Sequence, residues 1–437
     1  MKISFIRPNM AGSRSAAAMH PLAFAVLAGL TPPDIELELF DECIETIPET
    51  IETDLAAITV QTFTASRAYA IADRLRSSGI PVILGGYHPT FMPREALKHA
   101  DAVVIGEAEG IWQQVIADAR GGTLAQIYQA PHPPTLDQVV YDRSIFAGKK
   151  YAPITPVEFS RGCKLTCEFC SVTTFHKQRH KCRPVHQVIE EIKQIKTGTL
   201  FIVDDNIFSN PRIAKQFFED LVPLKKKWWC QVGINVTRND HMLDLMAKAG
   251  CSAALIGFES LDIENLRQMN KTANVSLHDY KTAIRQLKAR GIMVYGSFVF
   301  GYDHETPESI NRALDFAVEN KFFLNNFNTL NPLPGTALYA RLQKEKRLLS
   351  DAWWLNEKYK YGEVMYRPHS ISAADLKQRC MQARFSFNSY SSIIKRLFDR
   401  RANTKNIMNA GLFIVGNLIA RKEIKRKMKQ LSGLTSR

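Results

Sequence analysis

The stretch that decides the fold is Arg161-Gly162-Cys163-Lys164-Leu165-Thr166-Cys167-Glu168-Phe169-Cys170, which follows a short apolar run. Its three cysteines have the spacing C-x3-C-x2-C. Three thiolates on one tight loop can hold three irons of a [4Fe–4S] cluster, which otherwise takes four cysteines, and one iron then stays open for another ligand. Gly162 allows the backbone to turn closely before the first thiolate. The alternative is a zinc site that takes its fourth ligand from Cys182 or His176.

The sequence around and after this loop alternates strand-like and helical patterns. The strand-like runs are 156–159, 200–203, 231–234, 253–258, 293–300 and 325–330. Helical patterns separate them and predict a parallel α/β barrel, or part of one, over residues 151–345: a partial (β/α)6 barrel. In such a barrel the loops that follow the strands carry the chemistry, and the cysteine stretch is one of these loops.

Residues 1–130 show a second alternation of strands and helices. Their strand-like runs end at glycine turns, first at Gly85-Gly86-Tyr87-His88 and then at Gly106-Glu107. The alternation predicts an α/β domain with a doubly wound, Rossmann-like parallel sheet. Ligands of such sheets bind at the carboxyl ends of the strands, where both turns are expected. Residues 131–150, which contain several prolines, are predicted to be a linker.

The composition excludes several classes of protein. A chain of 437 residues that is 45% hydrophobic and 23% charged can bury a core and is not a disordered protein. Three of the eight cysteines are clustered, which argues against the disulfide framework of a small secreted domain. The sequence contains no apolar run long enough to span a membrane, and residues 1–8 do not resemble a signal peptide. We therefore expect a cytoplasmic protein.

The C-terminal region, residues 346–437, is predicted to be helical and to end in a basic tail. Residues 391–437 contain twelve Lys and Arg against two carboxylates, a local charge of +10 in a chain of net charge +14. The apolar stretch 407–420 precedes the main basic run, as in amphipathic segments that lie on anionic membranes. We therefore expect a peripheral contact with the inner membrane surface through 391–437, and a solvated basic helix is the alternative. A nucleic-acid partner is not expected, because few aromatic residues alternate with the charges.

The cysteine loop, its position after the first barrel strand and Phe169 before the last cysteine resemble the radical S-adenosylmethionine (SAM) enzymes. The segments 203–208, 256–260, 300–306 and 331–336 resemble strand ends of the same family. The two glycine turns of residues 1–130 resemble its subgroup with an N-terminal cobalamin (B12)-binding domain. Members of that subgroup include hopanoid methylases and the anaerobic magnesium-protoporphyrin monomethyl ester cyclase.

The resemblance implies three cofactors, namely a [4Fe–4S] cluster, SAM and cobalamin. It implies that a 5′-deoxyadenosyl radical activates an unactivated carbon of a small-molecule or lipid-like substrate, which then receives a methyl group. It also implies an electron donor of the flavodoxin or ferredoxin type. Two other functions stay open. One is radical cyclisation, oxidation or rearrangement without methyl transfer, and the other is a cobalamin or redox sensor that binds nucleic acid through the basic tail.

The resemblance assigns roles to individual residues but identifies no catalytic side chain. The predicted cluster ligands are Cys163, Cys167 and Cys170. The predicted cofactor-binding residues are Phe169, Asp204, Glu259, Gly85, Gly86, His88, Gly106 and Glu107. The polar ones have ordinary alternatives, since Glu259 could lie in a buried ion pair, Asp204 could cap the following helix together with its neighbours Asp205 and Asn206, and His88 could be a turn residue.

One departure concerns the lower cobalt ligand. The cobalamin domains of mutases carry an Asp-x-His-x-x-Gly signature, whereas Asp41-Glu42-Cys43 stands at the comparable strand end here and contains no histidine. Either cobalamin binds without a protein ligand below cobalt, as the resemblance to the subgroup favours, or the domain has lost the cofactor.

Overall fold

The computed structural model describes residues 1–10, 14–275, 279–356, 359–360 and 362–431, with side chains up to residue 426. The last residues of the predicted basic tail, 432–437, lie outside the described part. The chain forms two compact units. The first contains Met1–Ala152 and Ala352–Tyr359, and the second contains Pro153–Asp351 and the residues from Lys360 onward.

The first unit is built on a six-stranded parallel sheet with strand order β2-β1-β3-β4-β5-β6. The strands are β1 (Lys2–Arg7), β2 (Glu36–Asp41), β3 (Leu55–Thr59), β4 (Val82–Gly85), β5 (Ala102–Ile105) and β6 (Ile127–Gln129). The helices are α1 (Leu22–Leu30), α2 (Ala65–Ser77), α3 (Tyr87–Phe91), α4 (Pro93–Ala96) and α5 (Trp112–Gly121). The direction in which the chain adds strands reverses at β1 and β3, and sheets of this topology bind ligands at the carboxyl ends beside that point.

Both faces of this sheet are covered. Four consecutive residues of β1, Ile3 to Ile6, are buried, which happens only when neither face meets water. Phe5 stacks on Phe24 of α1 with ring centroids 5.1 Å apart. The buried Trp112 at the start of α5 donates its indole N–H to the Thr31 hydroxyl at 2.9 Å. The predicted doubly wound α/β fold is confirmed.

Residues 131–150, predicted to be a linker, pack inside the first unit. Leu136 and Val139 form an apolar cluster with Val26 of α1. A short 3-10 turn at Arg143–Phe146 follows, and Phe146 lies in the main core of the unit. A proline-rich segment without periodicity can still be ordered when its apolar side chains find a packed surface, and periodicity alone does not reveal this.

The second unit is built on six parallel strands in the order β14-β13-β12-β11-β10-β7. They are β7 (Thr155–Val157), β10 (Thr199–Ile202), β11 (Lys227–Gln231), β12 (Cys251–Glu259), β13 (Met293–Phe300) and β14 (Leu324–Thr329). A two-stranded antiparallel pair, β8 (Ser160–Arg161) and β9 (Lys181–Cys182), brackets the cysteine loop and the residues after it. In the described part of the chain the outer strands β7 and β14 do not pair with each other, so the barrel is partial, as predicted.

Helices follow the strands of this sheet and form its outer layer. They are α6 (Ser171–Phe175), α7 (Val185–Gln194), α8 (Pro211–Leu221), α9 (Asp240–Lys248), α10 (Ile263–Gln268), α11 (Thr272–Val275), α12 (Tyr280–Ala289), α13 (Pro307–Glu319) and α14 (Ala337–Lys344). Stacked phenylalanines fill the space between the last strands, where Phe298 stacks on Phe258, Phe300 and Phe327.

One strand lies earlier in the chain than the pattern predicts. Of the expected run 231–234 only Gln231 belongs to a strand, because β11 is Lys227–Gln231. Trp228 and Cys230 are buried while Lys227 and Trp229 are half-buried, which is the period of two expected of a strand. Beyond it the chain forms a 3-10 turn at Ile234–Arg238. The prediction was wrong because the lysines at the start of the strand hide this alternation.

The C-terminal region is helical, with α15 (Ala373–Phe387), α16 (Tyr390–Leu397) and α17 (Ile407–Leu431). The fully buried Arg396 donates hydrogen bonds to the carbonyl oxygens of Phe322, Phe323 and Phe387 and to Asn417 Oδ1, at 2.7 to 2.9 Å. These bonds fix α16 and α17 to the start of β14. Over the described residues, helices that combine the length and the apolar character needed to cross a bilayer are absent.

Candidate functional site

The cysteine loop begins where β8 ends and continues into α6. Cys163 and Cys167 are buried, Cys170 is half-buried, and all three are free thiols. Gly162 has φ +79°, and a Cβ at this position would come within 2.1 Å of the Arg179 carbonyl oxygen. Only glycine fits here, as the close turn in the sequence predicts.

The donor set suits a cluster better than a single metal ion. Within the described ranges, no three or more His, Cys, Asp and Glu side chains are placed so that they could share one ion. Zinc ligands converge on one centre, whereas the thiolates of a [4Fe–4S] cluster each bind a different iron and stay apart. In the described part of the chain, Cys182 and His176 do not join the three cysteines in a group placed to share one ion.

Hydrogen-bond donors lie beside the first cysteine. Asn206 Nδ2 is 3.8 Å and Ser209 Oγ 3.9 Å from Cys163 Sγ. Asn206 is itself held by its Oδ1, which accepts hydrogen bonds from the N–H groups of Phe208 and Gly233. Donors to the sulfurs are among the features that set the reduction potential of a cluster. From the sequence, Asn206 was predicted only as a helix cap.

Two adjacent carboxylates after β10 hold the chain that leads into the cysteine loop. The fully buried Asp204 accepts hydrogen bonds from the Phe159 N–H at 2.8 Å and from the Ser160 hydroxyl. Asp205 accepts one from the Gly162 N–H at 2.8 Å. Burial raises the pKa of Asp204 to about 7 and that of Asp205 to about 6, against the opposing effect of these hydrogen bonds.

The predicted role of Asp204 as a cofactor ligand stays a prediction, and the contacts above give it a positioning role. The helix-cap alternative does not describe the segment Asp204–Asn206 as a whole. Asn206 caps only the short 3-10 turn Ile207–Ser209, and α8 is capped by Asn210, whose Oδ1 accepts from the Ile213 N–H.

A buried ion pair lies near the cysteines. Glu259, the last residue of β12, has φ +62°, and its Oε1 is 2.7 Å from Lys271 Nζ. Gly257 makes room for this carboxylate, because a Cβ there would come within 2.1 Å of Glu259 Oε1. Lys271 Nζ also lies 5.9 Å from the centre of the Phe169 ring. Burial raises the pKa of Cys167 to about 11, and the positive charge of Lys271 opposes that shift.

Lys271 is a functional candidate that was not among the residues predicted from the sequence. Burial alone lowers the pKa of Lys271, but the Glu259 carboxylate and the nearby Cys167 raise it above its usual value, so the side chain is charged. A signal was available, because a carboxylate at the end of an apolar strand needs a cationic partner. Arg267 comes earlier in the chain, but it pairs with Glu264 instead. The ion-pair interpretation of Glu259 is confirmed, and its contact with a cofactor stays a prediction.

Glycine turns form the carboxyl edge of the first sheet. A Cβ on Gly86, where φ is +108°, would come within 2.9 Å of the Val60 carbonyl oxygen, whereas a Cβ on Gly106, where φ is +80°, would meet no atom within 4 Å. The Thr90 hydroxyl joins the two turns, since it donates to the Gly86 carbonyl at 2.7 Å and accepts from the Gly106 N–H at 2.9 Å. Gly85 ends β4, and the half-buried Glu107 follows Gly106. The backbone is open to a ligand at Gly106.

His88 lies inside the first unit. Its ring is fully buried, with Nε2 at 3.0 Å from Glu95 Oε1 and Nδ1 at 3.3 Å from Thr62 Oγ1. The same Glu95 oxygen accepts hydrogen bonds from the Tyr69 hydroxyl and the Trp354 indole N–H, both at 2.9 Å. Burial alone raises the pKa of Glu95, and these three partners bring it below its usual value. We call His88, Glu95, Tyr69 and Trp354 the Glu95 network, and a direct contact of His88 with cobalamin stays a prediction.

At the strand end that lacks the mutase histidine lies a carboxylate whose two oxygens both have partners within the protein. Asp41 is fully buried, and its Oδ2 lies 3.1 Å from Arg7 Nη1 and accepts a hydrogen bond from the Tyr151 hydroxyl at 2.9 Å. Its Oδ1 accepts from the Cys43 N–H at 2.9 Å. The Asp41 carboxylate therefore holds the loop after β2 in place.

Comparison with protein families and with known proteins agrees with this arrangement. Residues 157–317 match the radical SAM superfamily, and residues 11–116 match the B12 binding domain. The chain is 28% identical over 402 residues to a bacteriochlorophyllide d C-12(1)-methyltransferase of Chlorobaculum tepidum, a match that covers 89% of this chain and 87% of that protein. It is 27% identical over 433 residues to the anaerobic magnesium-protoporphyrin IX monomethyl ester cyclase of Rubrivivax gelatinosus, covering 87% of this chain and 76% of that protein.

A solved structure shares the fold along the whole chain. The radical SAM methyltransferase TsrM from Kitasatospora setae, with cobalamin and a [4Fe–4S] cluster bound, superimposes with a TM-score of 0.64 at 15% identity. The match covers 99% of both chains. The predicted order of a B12 binding domain, a radical SAM domain and a helical C-terminal region is confirmed.

Proposed function

We propose that this chain, which is a radical SAM enzyme with a B12 binding domain, transfers a methyl group to an unactivated carbon of a small-molecule or lipid-like substrate. The observation that carries the proposal is its similarity to a bacteriochlorophyllide methyltransferase over 89% of its length, which includes both domains. The site supports the proposal, because the cysteine loop, the ion pair beside it and the open glycine edge offer donors suited to the three cofactors.

The cysteine loop would hold the cluster through Cys163, Cys167 and Cys170. When bound, the cluster and SAM supply hydrogen abstraction from the substrate, and cobalamin supplies the methyl group. The residues of this chain fix the geometry in which that happens. Gly162 sets the turn of the loop, while Asn206 and Ser209 place hydrogen-bond donors beside Cys163 Sγ.

The pair of Glu259 and Lys271 would hold the amino-acid end of SAM. That end carries one ammonium and one carboxylate, and the pair offers the opposite charges side by side at 2.7 Å. We propose that Glu259 binds the ammonium, that Lys271 binds the carboxylate, and that Phe169 packs nearby. Glu259 is buried and the Lys271 side chain is only 14% exposed, so each charge needs a partner, and a bound zwitterion offers one to each.

The glycine edge of the first unit would hold cobalamin. Gly85, Gly86 and Gly106 keep side chains away from the carboxyl ends of β4 and β5, and Glu107 lies beside them. A cobalt ligand is not expected from the Asp41-Glu42-Cys43 segment, where the Asp41 carboxylate is bonded within the protein.

A labelling experiment tests methyl transfer. Protein purified without oxygen from cells supplied with cobalamin, and reconstituted with iron and sulfide, is incubated with a reductant, SAM carrying a deuterated methyl group, and extracts of lipids and tetrapyrrole pigments. We expect about one cobalt and about four irons per chain and a product that gains the labelled methyl group. Iron without cobalt and no labelled product would contradict the proposal, and the C167A variant is the control for reactions that do not need the cluster.

A second candidate is radical cyclisation or oxidation without methyl transfer. The observation that favours it is the similarity to the Rubrivivax gelatinosus cyclase over 87% of this chain. A deuterated substrate distinguishes the two. Transfer of deuterium to 5′-deoxyadenosine without formation of S-adenosylhomocysteine would support the second candidate, whereas both products together would support methylation.

Two partners complete the proposal. The cluster needs a one-electron donor, for which we propose a protein of the flavodoxin or ferredoxin type. We also propose a cytoplasmic location with peripheral contact at the inner membrane surface, since residues 391–437 carry a net charge of +10.

A further inference from the structure

The C-terminal helices carry most of the exposed large apolar side chains of the described protein. Eight of the fourteen lie between residues 390 and 418. On α17 they are Ile407, Met408, Ile414, Val415 and Leu418, and on α16 and just after it they are Tyr390, Ile394 and Phe398. On α16 these residues are four positions apart. In the first half of α17 the pairs 407/414 and 408/415 are seven positions apart, about two turns, and Leu418 follows one turn later, so each helix presents an apolar stripe on its outer side.

The opposite side of α17 is firmly anchored. Phe413 is fully buried in an apolar cluster with Phe323 and Ile393. Asn417 Nδ2 donates to the Phe323 carbonyl at 3.1 Å, and Asn417 Oδ1 accepts from Arg396. Because this inner side holds the helix to the folded unit, the apolar outer side is a stable surface.

The two stripes meet at a groove that is rich in positive charge. The groove has a volume of about 450 Å³ and is lined by Tyr390, Leu418, Arg421, Lys422, Lys425 and Arg426. The Arg421 guanidinium carbon is 4.0 Å from the centre of the Tyr390 ring, and its Nη1 donates to the Asn388 carbonyl at 2.7 Å. Lys422 and Lys425 are exposed and make no ion pair with a described residue.

We propose that this surface docks on an anionic lipid bilayer, with lipid headgroup phosphates in the groove and the apolar stripes of α16 and α17 in the bilayer interface. Charge complementarity supports the headgroup site, because four cations line the groove and its neighbour Glu423 is paired with Arg426 at 2.7 Å. The adjoining stripes supply what interfacial binding needs in addition, namely apolar side chains on the same surface.

A nucleic acid fits this surface less well. Binding of single strands relies on aromatic rings that stack on bases between the charges. Only Tyr390 and Phe398 among the eight exposed apolar residues are aromatic, and the others are aliphatic or methionine. Burial of aliphatic side chains in a lipid interface is favourable, whereas these side chains cannot stack on a base.

The inference extends the membrane contact proposed above and rests on it, but its test needs neither cofactors nor turnover. Failure of docking and failure of methyl transfer are therefore separate results. The experiment is co-sedimentation of the full chain with vesicles of phosphatidylglycerol or of phosphatidylcholine, at about 0.1 M and about 1 M salt, which shortens the screening length from about 10 Å to about 3 Å.

We expect binding to the anionic vesicles at low salt and its loss at high salt. The variant Lys422→Gln/Lys425→Gln should bind about thirtyfold more weakly, since each lysine near an anionic surface strengthens binding about fivefold. Ile414→Gln/Leu418→Gln should bind at least about tenfold more weakly through the lost apolar burial. The matched controls are Lys248→Gln/Lys344→Gln, exposed lysines elsewhere on the second unit, and Ile127→Gln/Val140→Gln, exposed apolar residues of the first unit.

Three results would overturn the proposal: equal sedimentation with both kinds of vesicle, groove variants that bind as well as the control variants, and salt-sensitive binding of a single-stranded RNA by the groove without any binding to vesicles. Thermal unfolding of every variant checks that weaker sedimentation does not reflect misfolding. Because all changed side chains are exposed or line the groove, the variants should unfold close to the unchanged protein.

Discussion

The carboxyl edges of the two parallel sheets present their sites in different ways. In the first unit the edge is backbone, with glycines at 86 and 106 in conformations that favour glycine and no atom within 4 Å of a Cβ on Gly106. The polar side chains of the Glu95 network are held inside the unit, where His88, Tyr69 and Trp354 are buried. In the second unit the edge is made of side chains, where three thiols and the ion pair of Glu259 and Lys271 lie together.

The difference follows from the ligand that each edge is suited to. A large cofactor that is recognised by shape needs open backbone and a rigid support beneath it. A cluster and a small zwitterion need specific donors and charges, and these are stable in a buried place only in pairs or with hydrogen bonds. Substitutions in the second unit should therefore affect function more strongly than those in the first.

The largest expected effect is loss of the cluster. In Cys167→Ala one of three thiolates is missing, so iron per chain after reconstitution should fall sharply and SAM cleavage should drop below detection. Iron and sulfide analysis with a visible spectrum measures this. Cys380→Ala is the control, because Cys380 is a buried cysteine that packs in the apolar core. Full iron content in Cys167→Ala would show that Cys167 is not a ligand of the cluster.

The next effect concerns the buried ion pair. Glu259→Gln or Lys271→Met leaves the other charge buried without a partner and should lower the free energy of unfolding by about 3–5 kcal/mol. The double variant should recover much of that stability but not the affinity for SAM. Denaturant unfolding and SAM binding are the two measurements, and Lys193→Met, which breaks the exposed pair with Glu190, is the control. A double variant that binds SAM normally would refute the proposed zwitterion site.

A smaller effect is a pH dependence that arises at Asp204. Its pKa is raised to about 7 in the folded chain, so the folded state holds the proton more tightly than the unfolded state. The contribution of Asp204 to the free energy of unfolding is therefore largest below about pH 4. It declines as the pH rises to about 7, by at most about 4 kcal/mol. Unfolding of the metal-free chain at a series of pH values should show this decline.

Asp204→Asn should remove that part of the decline and leave the contributions of Asp205 and Glu305, whose pKa values burial raises to about 6 and about 7. The comparison of the two pH profiles isolates Asp204 from other titrating groups. Identical profiles would show that Asp204 does not titrate in this range.

The smallest effect is expected in the Glu95 network of the first unit. Trp354→Phe removes one of the partners of the Glu95 carboxylate while it keeps an aromatic ring, which should cost about 1–3 kcal/mol of stability. If the network supports the glycine edge, cobalamin affinity should fall in parallel. Tyr128→Phe is the control, since it removes a hydrogen bond to Asp118 elsewhere in the same unit. Equal cobalamin affinity in both variants would show that the Glu95 network does not contribute to cobalamin binding.

Periodic patterns predicted the architecture because alternation of strands and helices is a local property. The cysteine spacing and the glycine turns are local as well, so the sequence located the cysteine loop and both glycine turns at strand ends. The Glu95 network could not be predicted, because Tyr69, Glu95 and Trp354 are far apart in the chain. Trp354 belongs to the first unit although it follows the strands of the second unit in the sequence.

The sequence by itself determined the two parallel α/β folds, the three cysteines and the excess of positive charge near the C-terminus. These depend on residue type and spacing within one segment. Only the tertiary structure decided that Lys271 pairs with Glu259, that His88 is buried beneath Trp354, and that the apolar stripes of α16 and α17 share one groove with four cations. The physical reason is that a buried charge or an exposed apolar face is defined by what packs against it, and those neighbours come from distant parts of the chain.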